Sequence, residues 1–575
     1  NPRVSSVILG ASRVSTISQP LVPGFTRRFT YDPSNGNLLS QTDFNGHLTL
    51  YTYDSRHLET QRIEAAGTPD ARTTRTEWHP AWRLPLRIAE PLKRTTFTYD
   101  PAGNLLTRSE QATPDVNGSQ GFAAPLVGSP RTWTWTYHSV GQVLTADGPR
   151  TDVADLTTYT YYDAADPDPG KRGQLASVTN ALGQRSDLTA YDLNGRPLTL
   201  IDPNGLVTTF TYDARGRLTS QTVGDEHTAY TYDPAGQLTR LTPPDGSFLA
   251  YTYDPAHRLT QITDALGNTL TYTLDAAGNR VKEEWRDPAH VLSQTRQRVH
   301  DALSRLTREL GALDQLQADY AYDPQGNLTT LTTPHGAGTR SSTQAFDALN
   351  RLIRVTDPSG GLTQYAYDGQ HRLSRVTDPR NLATRYTVDG LGNATGLDSP
   401  DSGVSSRTFD AAGNELTHTD AQGQTTFRQY DALNRLTHST YADHRRDLFL
   451  WDQGANGQGR LTHIEQRDAA DALLTAIDRQ YDPHGRLTQE TRQIAGVPFT
   501  THYRYTHGRL TGLTTPGGQQ IDYSLNPQGQ ISEVRLTTSG QVKTLASAIT
   551  YHPSGALQQL TNGSGQRLTW GQDAD

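Results

Sequence analysis

Closely spaced carboxylates are the first residues in this sequence whose types and spacing would allow chemistry. Asp163, Asp166 and Asp168 lie within six residues, and their oxygens are ligands of the kind that calcium takes. The spacing differs from that of an EF-hand loop, no bidentate glutamate follows, and prolines interrupt the stretch. We therefore predict a solvated loop at this position rather than a metal site.

Histidine and cysteine give no better support for a reactive centre. His444, His502 and His507 do not follow the metal-binding pattern His-Glu-x-x-His, so we predict strand or turn positions for them. Cysteine is absent, which excludes disulfides, zinc–thiolate sites and cysteine nucleophiles. No nucleophile elbow, phosphate-binding loop or catalytic triad is recognisable. The sequence predicts no enzyme, no cofactor and no metal.

Most aspartates have a simpler explanation, because each opens a tight turn. Asp hydrogen-bonds to the backbone two residues further on, which favours it at the first turn position. The pattern Asp-Pro-x-Gly recurs with this role at Asp100, Asp202, Asp233, Asp323, Asp357 and Asp482. The paired carboxylates thus indicate repeated turns.

Composition narrows the class of protein that must hold these turns. The 575 residues are 34% hydrophobic and 19% charged, which is little core material for one solid globule. A net charge of only −8 and 27 tyrosines argue against disorder. No apolar run is long enough for a membrane helix, and no basic block favours nucleic acid. Methionine is absent even at position 1, so we expect a piece of a longer protein.

The dominant pattern is a Tyr-Asp dipeptide, or a close variant, repeated about every 21 residues. Two long runs extend over residues 191–275 and 346–452. The residues that we assign as structural anchors of the repeat are Tyr191, Asp192, Gly195, Tyr212, Asp213, Gly216, Tyr232, Asp233, Gly236, Tyr253, Asp254, Tyr367, Asp368, Tyr430, Asp431, Tyr481, Asp482 and Gly485.

One repeat predicts two short antiparallel strands and two turns. In residues 230–239, Tyr-Thr-Tyr alternates as a strand does, with its rings on one face. Asp-Pro-Ala-Gly then forms a type I turn, and the glycine supplies the left-handed residue of a bulged hairpin. At this regular spacing we expect the tyrosine rings to stack on one another between repeats, rather than on sugars.

The fold class that follows is all-β: a long antiparallel hairpin meander coiled into a spiral, hollow shell one sheet thick. About 50 strands are expected, too many for a flat sheet because strand twist accumulates. We treat residues 1–575 as one continuous repeat segment. Its predicted irregular insertions are residues 60–95, where prolines oppose a strand, and residues 111–130, an exposed loop. Residues 287–319 read as a degenerate repeat rather than a helix.

These residues resemble the bacterial Rhs, or YD-repeat, family. Its hallmark Tyr-Asp-x-x-Gly-Arg-Leu stands at residues 212–218 and 481–487, supported by Thr-Glu-Trp-His-Pro at 76–80 and Asp-Gly-Pro-Arg-Thr-Asp-Val at 147–153. The resemblance implies a cocoon around a C-terminal toxin polypeptide, related to shells of the Tc toxin B and C subunits and to the teneurin barrel. The family's self-cleavage segment, PAAR-like domain, plug domain and toxin domain are not recognisable here.

The resulting hypothesis is a structural container for a toxin polypeptide, secreted or at the cell surface of a bacterium. The resemblance implies a covalent or cleaved toxin cargo inside the shell, secretion-apparatus components as further partners, type VI secretion and competition between bacteria. The shell itself is expected to bind no nucleic acid and to have no membrane span. Three alternatives stay open: a cell-surface adhesion or carbohydrate-binding module, a β-propeller or fibre, and an enzyme hidden in the irregular segments.

Overall fold

The protein is built almost entirely of β-strands. A computed structural model describes residues 6–10, 13–18 and 25–572. Within these residues it contains forty-nine strands and a short 3₁₀ helix, Gly121–Ala123. None of the described residues form a helix that is long and apolar enough to cross a membrane.

The first twenty-five strands run in chain order from the N-terminal side to His300. Their bounds are β1 Ser6–Gly10, β2 Arg13–Ser18, β3 Thr26–Tyr31, β4 Leu38–Thr42, β5 Leu48–Tyr53, β6 Glu59–Ala66, β7 Arg72–Trp78, β8 Pro85–Glu90, β9 Lys93–Tyr99, β10 Leu105–Ala112, β11 Val127–Tyr137, β12 Val143–Asp147, β13 Thr157–Tyr161, β14 Leu175–Thr179, β15 Arg185–Tyr191, β16 Pro197–Ile201, β17 Val207–Tyr212, β18 Leu218–Val223, β19 Glu226–Tyr232, β20 Leu238–Thr242, β21 Leu249–Tyr253, β22 Leu259–Asp264, β23 Thr269–Leu274, β24 Arg280–Arg286 and β25 Leu292–His300.

The remaining strands continue the same series. Their bounds are β26 Leu306–Leu310, β27 Leu316–Tyr322, β28 Leu328–His335, β29 Gly338–Phe346, β30 Leu352–Thr356, β31 Leu362–Tyr367, β32 Leu373–Thr377, β33 Ala383–Val388, β34 Ala394–Ser399, β35 Gly403–Phe409, β36 Glu415–Thr419, β37 Thr425–Tyr430, β38 Leu436–Thr440, β39 Arg446–Trp451, β40 Leu461–Arg467, β41 Leu473–Tyr481, β42 Leu487–Ile494, β43 Val497–Thr506, β44 Arg509–Thr514, β45 Gln520–Leu525, β46 Ile531–Thr538, β47 Gln541–Tyr551, β48 Leu557–Asn562 and β49 Arg567–Thr569.

Strands that follow one another in the chain pair antiparallel, as the repeat predicts. In the hairpin of β19 and β20, Tyr230 pairs with Leu241 and Tyr232 with Leu238, and the register shifts by one residue just before the turn. The shift is the bulge expected when a left-handed glycine follows a type I turn, and Gly236 has φ +103°. The prediction of an all-β antiparallel meander is confirmed.

The chain divides into two compact units, each assembled from separated segments. Unit 1 contains residues 1–158, 299–309 and 316–435, and unit 2 contains residues 159–298, 310–315 and 436–575. Each unit therefore combines an earlier and a later stretch of the chain, which we call its first pass and its second pass. The repeat thus returns to the same unit after a long excursion, as expected of a sheet that coils.

Neither unit has a solid apolar core. The chain exposes 30335 Å², whereas even two separate globules of half its mass would together expose about 24,000 Å². In the described part of the chain, the buried hydrophobic side chains are few and mostly small: Leu58, Ala65, Ala89, Ala124, Tyr191, Tyr272, Ala318, Ala476 and Ile549. The high ratio of surface to core matches the thin wall expected from composition.

The meander continues through residues 60–95, so the prediction of an irregular backbone there is wrong. Strands β6, β7 and β8 occupy most of this stretch. Pro80 lies in the turn between β7 and β8, and Pro85 is the first residue of β8, where it pairs with Trp78 next to a bulge. Neither a turn position nor the first residue of a strand needs a backbone N–H for the regular ladder of hydrogen bonds. The sheet therefore tolerates both prolines.

The loop between β10 and β11 is anchored rather than simply exposed. It contains the 3₁₀ helix and several buried residues, namely Thr113, Asp115, Gly118, Gly121 and Ala124. One carboxylate oxygen of Asp115 accepts hydrogen bonds from the backbone N–H groups of Gln120 and Gly121. The prediction of an exposed loop is therefore wrong for this part of residues 111–130. By contrast, residues 292–310 form β25 and β26, which confirms the degenerate repeat.

Candidate functional site: Tyr-Asp turns and seams

The turn that follows each Tyr-Asp dipeptide is held by its aspartate. In the copy at residues 212–218, Asp213 Oδ1 accepts the backbone N–H groups of Arg215 at 2.9 Å and Arg217 at 3.0 Å. The N–H of Gly216 donates to the carbonyl of Asp213 at 2.9 Å, and Gly216 has φ +85°. Only a residue that tolerates positive φ fits this last position, so Asp and Gly together fix the turn.

Where the turn ends in arginine, the side chain links that turn to the next one along the chain, as Arg217, Arg258, Arg305, Arg351 and Arg372 do. The Arg217 guanidinium donates through Nε to Asp213 Oδ2 at 2.6 Å and through an η nitrogen to the carbonyl of Asp233 at 3.2 Å. Its central carbon lies 4.7 Å from the centroid of the Tyr232 ring. The planar, five-donor guanidinium makes all three contacts at once, which a lysine ammonium would not do.

In most copies that have a tyrosine, its hydroxyl is tied to the repeat before it. The Tyr232 hydroxyl donates to the carbonyl of Leu218 at 2.8 Å. Trp451, which replaces tyrosine in its copy, makes the same link through its indole N–H to the carbonyl of Leu436. Further tyrosines that donate to a backbone carbonyl of the preceding repeat are Tyr99, Tyr191, Tyr212, Tyr253, Tyr322, Tyr367, Tyr430, Tyr481 and Tyr551.

This arrangement differs from the expected stacking of tyrosine on tyrosine. Within the described residues, the stacked ring pair that the structure records is His79 with Trp82. Tyrosines of the repeat instead lie under arginines, as Tyr212 lies under Arg196 at 4.8 Å. The reason is the spacing of the anchors: where a turn ends in arginine, that side chain reaches the tyrosine ring of the next turn and occupies its face.

Ionisation of the anchors reflects these contacts. The backbone N–H and guanidinium of Arg217 lower the pKa of Asp213, and Arg196 lowers the pKa of Asp192 in the same way. Burial raises the pKa of Tyr253. Carboxylates are thus stabilised as anions and phenols as neutral donors, the states that the turn and the tyrosine link require.

The other assigned anchors occupy equivalent positions. Asp233, Asp254, Asp368, Asp431 and Asp482 each accept the backbone N–H of the residue four positions on. Gly195 and Gly485 have φ +76° and +86°. Where glycine is missing, a left-handed histidine, asparagine or serine replaces it, namely His57, His257, His371, Asn350, Asn434 and Ser304. Asparagine in particular tolerates this conformation, a signal that sequence reasoning missed.

The aspartates and histidines that could have bound a metal do not come together. Asp163 and Asp168 each accept a backbone N–H two residues ahead, from Ala165 and Gly170, as turn aspartates do. His444 and His507 occupy turns with positive φ, whereas His502 lies in β43. In the part of the chain that the structure describes, no cluster of three or more metal-ligating side chains occurs.

Within each unit, turns of the first pass meet turns of the second pass along a line that we call a seam. In unit 2, Asn204 exchanges two hydrogen bonds of 3.0 Å with the backbone of Gln458. Further along, Arg509 Nε donates to Asp245 Oδ2 at 2.7 Å. The turn that ends a returning strand on the first pass therefore contacts a Tyr-Asp type of turn on the second pass. Sequence separations across the two seams run from 254 to 307 residues.

Arg150 is the most buried connection of the unit 1 seam. Its side chain is 3% exposed. It donates to the carbonyl of Asp431 and, at 3.4 Å, to the carbonyl of Tyr430 on the second pass. Its Nε lies 3.6 Å from a carboxylate oxygen of Asp410. Asp152, on the same loop, neutralises the guanidinium at 2.6 Å. The Asp-Gly-Pro-Arg-Thr-Asp motif thus places one buried cation at the seam.

Glycines make room at the same seam for the anchored loop. A methyl group on Gly369 would lie 2.1 Å from the carbonyl oxygen of Val116, and one on Gly390 would lie 2.1 Å from that of Leu92. Neither glycine has a positive φ, so close approach of backbones explains them. The Gln370 side chain donates to the carbonyl of Pro91 at 2.8 Å beside them.

Comparison with known proteins identifies the family to which the repeat belongs. The RHS Repeat model matches residues 31–69, 191–228, 232–269, 253–284, 300–337, 346–383, 409–446 and 481–520. No curated protein matches the chain.

Similar solved structures come from Tc toxin complexes. The crystal structure of TcdB2-TccC3-TEV is 12% identical, with TM-score 0.50 over 96% of this chain and 40% of that chain. The crystal structure of TcdB2-TccC3-Cdc42 is 12% identical, with TM-score 0.48 over 98% and 40%. The Tc holotoxin pore of Photorhabdus luminescens is 13% identical, with TM-score 0.42 over 96% and 32%.

The first of these similarities shows a shared fold, and the chain spans about two fifths of the length of that structure. The matched segments lie between residues 31 and 520, together cover about half of the chain, and include the Tyr-Asp turn at residues 212–218. With its eight RHS repeats, the chain belongs to the RHS-repeat family.

Proposed function

We propose that this chain is part of the wall of a container that encloses and shields a toxin polypeptide. The observation that carries the proposal is the combination of an RHS-repeat meander with almost no buried apolar side chains. A sheet of this kind gains little from a core of its own, so its value lies in the surface that it spans. The role is structural, with no residue assigned to catalysis.

The contacts of the wall fit a barrier. Paired strands satisfy one another's backbone groups, and Tyr253 and its equivalents tie each repeat to the one before. Seam contacts such as Arg509 with Asp245 close the gap between passes within a unit. Cargo behind such a wall would be shielded from proteases. The proposed cargo is a polypeptide of the same gene product, carried out of a bacterial cell with the help of its secretion apparatus.

The alternative of sugar binding by the Tyr-Asp rows has less support. Arg217 covers the ring of Tyr232, and the hydroxyl of that tyrosine is already used by a carbonyl. A sugar that stacked on Tyr232, or on Tyr212, Tyr322 or Tyr367, would have to displace a guanidinium. The rows are therefore better explained as the fastening of the wall.

Protease protection tests the container. The complete gene product would be treated with proteinase K, and the fate of any polypeptide encoded beside the repeats followed by mass spectrometry. We expect that polypeptide to survive, and to be digested rapidly when expressed without the repeats. Equal digestion in both cases, or a gene that encodes nothing besides repeats, would contradict the proposal.

A further inference from the structure

A cavity of about 440 Å³ lies in unit 1 beside the loop between β10 and β11. Thr52, Gln61 and Arg75 form its floor. Thr52 pairs with Gln61 across β5 and β6, and Gln61 pairs with Arg75 across β6 and β7, so the three side chains share one face of the sheet. Phe122, in the 3₁₀ helix of the loop, lines the cavity from another side. The cavity therefore lies between a polar strip of the sheet and the loop.

Arg75 brings a positive charge into this cavity that no carboxylate of the described residues neutralises. Within the same residues, its guanidinium makes one hydrogen bond, from an η nitrogen to the carbonyl of Ser119 at 3.4 Å. The Nε atom is buried without an acceptor in the described chain, because the side chain lies against Gly121, where an added methyl group would be 2.6 Å from Cδ. A guanidinium has five N–H donors, so the outer edge of Arg75 keeps donors for a ligand.

The other charges of the lining are neutralised by their neighbours. Asp54 accepts backbone N–H groups of its own turn and pairs with the Arg56 guanidinium at 3.2 Å. Glu77 pairs with Arg87 on the adjacent strand β8. The positive charge of Arg75 is therefore left over, and it favours a ligand that carries a negative charge.

Gln61 adds a second donor beside the arginine. Its side-chain amide has no hydrogen-bond partner in the part of the chain that the structure describes, and Gln61 is the direct cross-strand neighbour of Arg75. Such neighbours have β-carbons about 5 Å apart, so the amide NH₂ and the guanidinium are placed to bind the two oxygens of one planar group. A carboxylate has this shape and a single charge. A phosphate dianion would be repelled more strongly by Asp54 and Glu77.

We propose that this cavity binds a carboxylate through Arg75 and Gln61. The guanidinium holds the carboxylate oxygens, Gln61 donates to one of them, and the organic part of the acid lies toward Phe122. Arg87 already lies against the Phe122 ring, 4.8 Å from its centroid, so the ring limits the cavity and does not stack on the ligand. A small monocarboxylic acid and an acidic side chain of another polypeptide present the same group. The site does not depend on whether the chain encloses a cargo.

Saturation-transfer NMR on the whole chain tests this site. The probes are propionate, benzoate and the peptide acetyl-Ala-Glu-Ala-amide, each compared with its uncharged analogue, namely propionamide, benzamide and the same peptide with glutamine. We expect stronger transfer to an acid than to its amide, and little competition from inorganic phosphate. Transfer to propionate or benzoate alone would support a small acid as the ligand, and transfer to the peptide would support an acidic side chain.

Two variants locate the binding. Arg75→Gln should weaken the acid at least about tenfold, because it removes the charge and the paired donors. Arg385→Gln is the control, since Arg385 is 60% exposed in the same unit and pairs with Asp398, and it should change nothing.

Gln61→Glu keeps the size of the side chain and places a carboxylate next to Arg75, so it should abolish binding while the circular dichroism spectrum stays unchanged. Equal transfer to the acids and their amides would overturn the proposal. So would binding that survives both Arg75→Gln and Gln61→Glu, or displacement of the acid by an equal concentration of phosphate.

Discussion

The Tyr253 hydroxyl donates a hydrogen bond of 2.9 Å to the carbonyl of Leu238, fifteen residues earlier in the chain. Tyr253 is the last residue of β21, and Leu238 is the first residue of β20, the preceding strand. The bond therefore fastens the repeat of Tyr253 to the repeat before it. Equivalent bonds recur at many of the other copies, including the one in which tryptophan precedes the turn, where Trp451 donates to Leu436. The hydrogen bond of the tyrosine hydroxyl thus holds neighbouring repeats together as much as the packing of the ring does.

Removing this hydroxyl tests the link. We expect Tyr253→Phe to destabilise the hairpin of β21 and β22 locally by about 1 kcal/mol, the net value of one intramolecular hydrogen bond. Amide hydrogen exchange in residues 249–264 should then be about fivefold faster.

Tyr251 offers a matched control on the same strand, because its hydroxyl has no protein partner among the described residues. Tyr251→Phe should leave exchange in residues 249–264 nearly unchanged. Equal acceleration by both variants would mean that ring packing alone matters and that the hydroxyl link to Leu238 is incidental.

The buried arginine of the unit 1 seam gives a second prediction. Arg150→Ala would remove the guanidinium donor from the carbonyls of Asp431 and Tyr430 and the nearby cation from Asp410. We expect a local loss of about 3 kcal/mol, since removing one partner of a buried charged network costs more than the bond itself. Hydrogen exchange in residues 425–435 would report it.

Arg380→Ala is the control for that variant. Arg380 is 60% exposed and pairs with Asp378 and Asp401 at the surface of the same unit. Surface ion pairs contribute little, so exchange in residues 425–435 should not respond. If Arg150→Ala also left these amides unchanged, the seam would not depend on the buried guanidinium.

Close backbone contact at the seam gives a third prediction. A β-carbon at position 369 would lie 2.1 Å from the Val116 carbonyl oxygen and 2.6 Å from the Pro91 Cβ, so Gly369→Ala must push the loop of residues 113–126 away. Overpacking of this kind costs about 1–3 kcal/mol. Limited trypsin digestion should therefore cut near Arg131 earlier in the variant.

Gly338→Ala serves as its control, because the nearest atom to the added methyl group would be 3.9 Å away and the backbone φ of Gly338 is not positive. That variant should be cut as slowly as the natural protein. Unchanged digestion of Gly369→Ala would show that the loop and the second pass do not press on each other in solution.

Sequence reasoning found the local structure because each turn is chemically self-contained. Asp213, Gly216 and Arg217 all act within seven residues, and a period of about 21 residues repeats them. Pro85 led to the wrong prediction of an irregular backbone in residues 60–95, because a proline disfavours the interior of a strand but not its first residue. The left-handed His257 and Asn350 could have been found by aligning the glycine position of the turn across repeats.

Long-range contacts were out of reach for a physical reason. Arg150 meets Asp431 across 281 residues, and nothing local to either residue specifies the other. The seam depends on how many repeats make one pass and on the small twist that each strand adds. Gly369 and Gly390 directly follow the aspartate of their turns, a position that does not require glycine, so only the closeness of Val116 and Leu92 explains them.

Acidity gives the last prediction. In the folded protein, backbone N–H groups and arginines that bind the carboxylates lower the pKa values of Asp192, Asp213 and Asp254 from the ordinary value of aspartate. A group with a lowered folded pKa stabilises the fold above its unfolded pKa, and that stabilisation is lost as pH falls through the folded value. The midpoint temperature of thermal unfolding should therefore be steady near neutral pH and should decrease when the pH is lowered below about 4.

Asp213→Asn keeps an acceptor oxygen without the titration, so hydrogen exchange in residues 212–218 should depend less on pH in that variant. A midpoint that held steady or rose between pH 4 and 2 would show that these turns do not depend on ionised aspartate.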